Sequence, residues 1–325
     1  MKPKITLTDV NMKILQTVFG ELEDLANVVT TDNDAEETLV QETGDADLLI
    51  VCYAKVTRRV LQAATDLKAV LKWGVGVDNI DLAAATERRI PVVHCPNYGS
   101  DTVADHAFAL MIALARKVID LDRTMREVAW MWPAQANTAV DLSKKTIGLV
   151  GFGRIGKAMA RRCAGFGMDI VAHDPYVAGA AEEFGQVTFM GLEKLLRRSD
   201  FVSIHCVLTP ETAGLIGEKE LSLMKPSTFL INVSRGGIVD EAALVRSLET
   251  RQIAGAGLDV FVREPAAQHN PLFRMDNTIV TPHFAYNTIE ANDRLDREAL
   301  QKAKNILRGN ALEDVRNPEA LGSSR

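Results

Sequence analysis

The chain has 325 residues, 47% of them hydrophobic and 25% charged, with a net charge of −6. That length exceeds what one core ordinarily serves and predicts two domains, while the acidic balance argues against a nucleic-acid partner held through phosphates. No apolar run approaches the ~20 residues of a membrane span, and MKPKITLTDV lacks the apolar stretch of a signal peptide.

Cys52, Cys95, Cys163 and Cys206 lie far apart, with no Cys-x-x-Cys pair. The expectation is free thiols in a reducing, cytoplasmic setting. In chain order, ADLLIVC (46–52), LKAVLKW (67–73) and IPVVHC (90–95) read as buried strands. VTRRVLQAA (56–64) and DLAAATERR (81–89) read as helices between them. Such alternation predicts a parallel sheet with crossover helices.

A long Ala- and Leu-rich stretch, 101–128, follows a Pro-Asn-Tyr-Gly-Ser loop and reads as one helix. It suits an interdomain connector or an oligomer arm, and a homodimer is expected. A second alternating series follows, with strands KTIGLV (145–150), MDIVAH (168–173), DFVSIHC (200–206), TFLINV (228–233), AGAGLDV (254–260) and NTIVTP (277–282). The closing helix, 289–307, is amphipathic and ends near Gly309; the tail EALGSSR reads as frayed. The fold class predicted is α/β, with two doubly wound parallel-sheet domains and a cleft between them. A nucleotide domain spans 101–289, and a discontinuous substrate domain takes 1–100 plus 290–325.

IGLVGFGRIGKAMARR places Gly151, Gly153 and Gly156 in G-x-G-x-x-G spacing. Alone that spacing says little; here it follows a strand and opens a helix. The first glycine permits the tight turn, the second lets a pyrophosphate approach, and the third allows close helix–strand packing. Amides of the helix start, around Arg154 and Ile155, then face the phosphates. Asp174 ends the next strand, where a carboxylate binds the adenine ribose hydroxyls and repels a 2′-phosphate. The cofactor expected is NAD.

Downstream strand ends carry further ionisable groups: Arg235 after the strand ending at Val233, Asp259 and Glu264 at and beyond the next, and His283 after the last. In a doubly wound sheet these ends line one crevice. A lone histidine at a strand end is by default a packed residue; the convergence of arginine and glutamate on it makes it a candidate acid–base. Histidine could carry the proton, glutamate could fix its tautomer, and arginine could hold a carboxylate and polarise a carbonyl. No metal is expected, because His94, His205 and His283 have no ligand spacing.

With GVGVDNIDLAAATERRIPV (74–92), VGFGRIG, HCVLTPET (205–212), NVSRGGIVDE (232–241), GAGLDVFVREP (255–265) and TPH (281–283), the chain resembles the D-isomer-specific 2-hydroxyacid dehydrogenases over nearly its whole length. The resemblance is strongest to the phosphoglycerate dehydrogenase-like pattern. It implies an NAD-dependent enzyme interconverting a D-2-hydroxy acid and a 2-oxo acid, with Arg235, Glu264 and His283 catalytic. It also implies substrate contacts from the backbone of Val75 and Gly76, a nicotinamide contact from Asp259, and a cofactor wall from Cys206, Val207 and Val233.

The chain departs from that pattern in places. Where phosphoglycerate dehydrogenases hold phosphate with arginines, it has Cys52–Tyr53–Ala54 and Lys72–Trp73. Lys72 keeps a charge but not the bidentate fork. After His283 it reads Phe-Ala-Tyr, and Tyr286 resembles the aromatic of the C-terminal-binding corepressors. An apolar or aromatic 2-oxo acid is the expected substrate. The alternatives are 3-phosphoglycerate oxidation and an NAD(H)-sensing, corepressor-like binding protein.

Overall fold

The computed structural model describes residues 2–10, 13–133, 138–177 and 186–322. Contacts divide the chain into two compact units, 1–99 with 288–325 and 100–287.

The first unit opens with β1 (Lys4–Leu7), α1 (Phe19–Leu25), β2 (Asn27–Thr30) and α2 (Glu36–Glu42). It continues through β3 (Leu48–Val51), α3 (Arg58–Ala63), β4 (Ala69–Lys72), α4 (Leu82–Glu87) and β5 (Val92–His94). The strands pair in parallel in the order β2-β1-β3-β4-β5, the flavodoxin-like doubly wound order. β3, β4 and β5 are buried at every position, because helices cover both faces of a parallel sheet; their residues are apolar except Lys72 and His94 at the carboxyl ends of β4 and β5. Thr57 and Asp81 start α3 and α4 by accepting the amides of Val60 and Ala84, which satisfies donors the helix itself leaves open.

The second unit begins with α5 (Ser100–Arg116) and α6 (Val118–Val128). The single helix expected over 101–128 is therefore two. Lys117 between them takes the left-handed conformation, φ 56°, which ends one helix and starts the next in a new direction. Then come β6 (Thr146–Val150), α7 (Arg154–Gly165), β7 (Asp169–His173), β8 (Val187–Phe189), α8 (Leu192–Arg198) and β9 (Phe201–Ile204). After these come α9 (Glu218–Leu223), β10 (Phe229–Asn232), α10 (Glu241–Glu249), β11 (Gly255–Leu258) and β12 (Thr278–Val280).

The strands of this unit are all parallel, in the order β12-β11-β10-β9-β6-β7-β8. Successive side chains point to opposite faces, so Ile147 and Leu149 join one core with Leu110, Met111 and Met159. Val150, Val202 and Ile204 join the other with Leu221, Leu244 and Leu248. A core on each face is what double winding means physically. The order reverses between β6 and β9, and ligands of such sheets bind outside the carboxyl ends of the strands at that switch.

α11 (Ile289–Arg308) returns the chain to the first unit. Thr288 caps its start and Gly309, φ 70°, its end. Asp296, 2% exposed, lies on its buried face and accepts hydrogen bonds from the amides of Leu15 and Thr17, the Thr17 hydroxyl and Trp73 Nε1. A carboxylate so buried is stable only with such a full set of donors. The last three residues of the tail read as frayed lie outside the described residues.

Candidate active site

The site in the second unit is built on carboxyl ends of parallel strands. β6 runs into Gly151, whose φ is +94°. A Cβ there would also stand 2.4 Å from the Cys206 amide nitrogen, and one at Gly156 would stand 2.4 Å from the Gly151 carbonyl oxygen. No side chain larger than hydrogen fits either place. Gly153 differs: a Cβ added there meets nothing within 4 Å. The turn is thus closed on the protein side and open where a pyrophosphate would lie. Gly153 caps α7 without a side-chain acceptor, so the first-turn amides of Arg154, Ile155 and Gly156 suit an anion. Asp174 accepts the Phe152 amide at 2.8 Å and the Tyr176 amide at 2.9 Å. That ties the carboxylate at the end of β7 to the glycine turn. These residues fit a dinucleotide.

Cys206 follows β9 and donates its amide to Val150. Burial pushes its thiol up to about 11, so it is a neutral thiol rather than a nucleophile. Val207 beside it is exposed, and Val233 at the end of β10 is buried. His205 is buried, with Nε2 2.9 Å from Ser203 Oγ, and burial holds its pKa down near 3. His94 bonds the Val75 carbonyl through Nδ1 at 2.8 Å, and burial likewise lowers its pKa. Both are packed, neutral histidines. Among the described residues, no group of three or more His, Cys, Asp or Glu side chains is placed to hold a metal ion.

His283, Glu264 and Arg235 are brought together. His283 Nδ1 lies 2.6 Å from Glu264 Oε2, while Glu264 Oε1 accepts the Phe261 amide at 2.9 Å. Burial works to raise the Glu264 pKa; the His283 bond and charge, the Phe261 amide and the Arg235 charge outweigh it and hold the carboxyl below its ordinary value. Arg235, half-buried after β10, donates through Nη1 to the Ser234 carbonyl at 2.8 Å. Asn232 fixes that turn by donating to the Arg235 carbonyl and accepting the Ser234 amide. Tyr286 sets its ring edge-on to His283, centroids 6.4 Å apart.

Asp259 is fully buried. Its carboxylate accepts the Thr281 hydroxyl at 2.5 Å and the amides of Phe284 and Ala285 at 2.8 and 2.9 Å, and its carbonyl accepts the His283 amide at 2.7 Å. What it does in this structure is hold the loop that carries His283. That loop needs holding, because His283 has φ +53°, a conformation costly for a non-glycine residue. His106 of α5 joins the same cluster, with Nε2 3.0 Å from Thr281 Oγ1. Sequence reasoning missed His106 and Thr281. Thr281 stands inside the TPH segment, but nothing local marks His106 on its long helix.

Residues singled out in the first unit behave differently. Lys72, 7% exposed, has its ammonium bound by the Cys52 carbonyl and by Asn79 Oδ1. Trp73 is buried with its indole on Asp296. Val75 is exposed on the turn after β4, and Gly76 beside it is half-buried.

Residues 108–285 match the family described as D-isomer specific 2-hydroxyacid dehydrogenase, NAD binding domain. The chain is 38% identical over 316 residues to the D-3-phosphoglycerate dehydrogenase of Mycobacterium leprae, covering 97% of this chain and 59% of that protein. It therefore spans little more than half the length of that curated relative. It is 38% identical over 339 residues to the glyoxylate reductase of Thermococcus litoralis, covering 100% of this chain and 99% of the other. The D-lactate dehydrogenase of Aquifex aeolicus, solved with NAD and lactic acid, superposes with a TM-score of 0.86 at 30% identity, over 94% of this chain and 96% of that one.

Proposed function

The chain belongs to the D-isomer specific 2-hydroxyacid dehydrogenase family, and from that premise we propose that it interconverts a D-2-hydroxy acid and its 2-oxo acid with NAD. The observation that carries the reading is the His283–Glu264 pair, 2.6 Å apart, with the Arg235 charge acting on it. The chemistry NADH supplies when bound is hydride donation to a carbonyl carbon. The protein supplies the rest. Arg235 holds the substrate carboxylate and polarises the carbonyl. Glu264 takes Nδ1 of the imidazole, so Nε2 is the nitrogen that gives a proton to the carbonyl oxygen in reduction and removes it in oxidation. The backbone of Val75 and Gly76 adds a second carboxylate contact. Gly151, Gly153, Arg154, Ile155 and Gly156 hold the pyrophosphate and Asp174 the ribose. Cys206, Val207 and Val233 flank the cofactor, and Asp259 adds a nicotinamide contact.

For the substrate we propose an unphosphorylated 2-oxo acid with an apolar or aromatic side chain. Two observations support this. The Lys72 ammonium is already bound inside the first unit, and an aromatic ring, Tyr286, stands beside His283. The test is NADH oxidation with a panel of 2-oxo acids. Turnover should be highest with aromatic and branched side chains and should shift toward pyruvate and glyoxylate in Tyr286→Ala. Failure to turn over any acid, with tight NADH binding retained, would remove the enzyme reading in favour of an NAD(H)-sensing binding protein. Phosphoglycerate activity lost in Lys72→Ala would restore the phosphorylated substrate.

We also propose a homodimer and a cytoplasmic setting. α6 buries none of its residues. It presents Val118, Ile119, Leu121, Met125 and Val128 to the outside, followed by Trp130 and Trp132 at 62% and 66% exposure. An apolar strip of this kind is the usual mark of a contact surface. Sedimentation of the purified chain should report a dimer that Trp130→Glu with Val128→Glu dissociates; a wild-type monomer at micromolar concentration would remove the proposal. None of the four cysteines is in a disulfide, as suits a reducing compartment.

A further inference from the structure

NVSRGGIVDE ends in two carboxylates, and the roles assigned so far leave the last one unused. Asp240 starts α10, its Oδ1 accepting the Ala243 amide at 3.0 Å. Glu241 turns away from the helix. Its Oε2 accepts the Val262 amide at 3.3 Å, and its Oε1 accepts Asn270 Nδ2 at 3.1 Å. Both donors belong to the segment between β11 and β12, which carries Glu264. The two amides at its start are divided between two carboxylates: Phe261 N–H goes to Glu264 and Val262 N–H to Glu241. Asn270 is nearly buried, and its Oδ1 accepts the Leu272 amide. One carboxylate therefore grips the segment near its beginning and near its end.

We propose that Glu241 is the positioning residue of the acid–base pair, clamping the 261–270 segment so that Glu264 meets His283 Nδ1. The inference rests on the dehydrogenase reading above and deepens it. Hydrogen bonds to a carboxylate are stronger than neutral ones. A turn bearing a catalytic group must be fixed to within about half an ångström for the group to act. Val262 is largely exposed and Phe261 packs edge-on against Phe273, so apolar packing holds one side of the turn and Glu241 the other. Without the clamp, Glu264 loses its register with His283 and with the Phe261 amide. Among the described residues, the ionisable side chains whose charge acts on Glu264 are His283 from beyond β12 and Arg235 from beyond β10.

The experiment compares wild type, Glu241→Ala and Glu241→Gln in three measurements. The first is kcat and kcat/KM for a 2-oxo acid across pH, with NADH affinity measured separately. Glu241→Ala should lower kcat/KM about tenfold, since small misplacements of catalytic groups cost this much or more, and leave NADH affinity unchanged. The acid limb of its pH profile should move to higher pH, because a Glu264 released from His283, Arg235 and the Phe261 amide returns upward toward its ordinary value. The second is the imidazole Nδ1–H resonance of His283 in histidine-labelled protein. It should lie far downfield in wild type and move upfield in Glu241→Ala. This readout needs no turnover, so failure of the dehydrogenase reading and failure of the clamp are distinguishable. The third is thermal stability. Glu241→Gln keeps one acceptor and the shape; it should fold and recover most of the activity and the resonance, and it serves as the test if the alanine variant does not fold. Losses that follow stability alone, with the acid limb and the His283 resonance unmoved, would make Glu241 a structural residue and overturn the proposal.

Discussion

His283→Ala should lower kcat by about 10³-fold, the usual magnitude for losing a positioned acid–base, while leaving NADH affinity nearly intact. The imidazole lies beyond β12, anchored through Glu264 on one side and through its own backbone on Asp259. The glycine turn after β6 and Asp174 after β7 form a separate set of contacts. Removing the ring thus removes the proposed proton carrier and leaves the glycine turn and Asp174 in place. Steady-state kinetics with a 2-oxo acid, together with NADH titration by fluorescence, checks both halves. Comparable losses in the two would mean that His283 is a packing residue. The acid side of the wild-type profile follows from Glu264, which stays ionised below its ordinary value. Activity should therefore persist as pH falls through the ordinary glutamate value, about 4.3, and decline only where Glu264 takes a proton.

Gly236→Ala should destabilise the protein by about 3 kcal/mol, the upper end of the ordinary overpacking range, and should abolish turnover in whatever remains folded. A Cβ at Gly236 would sit 2.0 Å from the Phe261 carbonyl carbon and 2.3 Å from the Val262 nitrogen. These are backbone atoms and cannot rotate aside. The turn bearing Arg235 and the turn bearing Glu264 touch main chain to main chain here, and a methyl group forces them apart. Gly237 is the control. Its Cβ would meet only the Leu208 methyl groups, at 3.4 and 3.6 Å, so Gly237→Ala should keep both stability and activity. Denaturant midpoints and kcat for the pair decide the matter. Equal effects of the two substitutions would show that the close approach at Gly236 does not hold the site.

The alternating apolar runs of the chain carried the fold class, because a strand covered on both faces is apolar along nearly its whole length. Three strands escaped that reading, each for a visible reason. β2 is a half-exposed edge strand, β1 alternates polar Lys4 and Thr6 with Ile5 and Leu7, and β8, also an edge strand, has an exposed threonine at its centre. The break between α5 and α6 escaped too, since lysine at 117 announces no left-handed turn. Glycine spacing located the tight turn after β6, as only glycine tolerates φ +94° against the Cys206 backbone.

For the site itself, residue type and strand-end position were enough to name Arg235, Glu264 and His283. A carboxyl end in a parallel sheet faces the same edge whichever strand it belongs to, so order along the chain foretells convergence. Contacts between side chains far apart in sequence obey no such rule. Lys72 read as a charge without the bidentate fork at a position where phosphoglycerate dehydrogenases hold phosphate, and it is a buried ammonium bound to Cys52 and Asn79; Trp73 is an indole held by Asp296, more than two hundred residues away. Asp259, Thr281 and His106 support the loop of His283, and Glu241 grips the segment of Glu264. The candidate groups were legible because they occur at strand ends. Support was not, because a hydrogen bond is a matter of ångströms and angles that exist only once the chain has closed on itself.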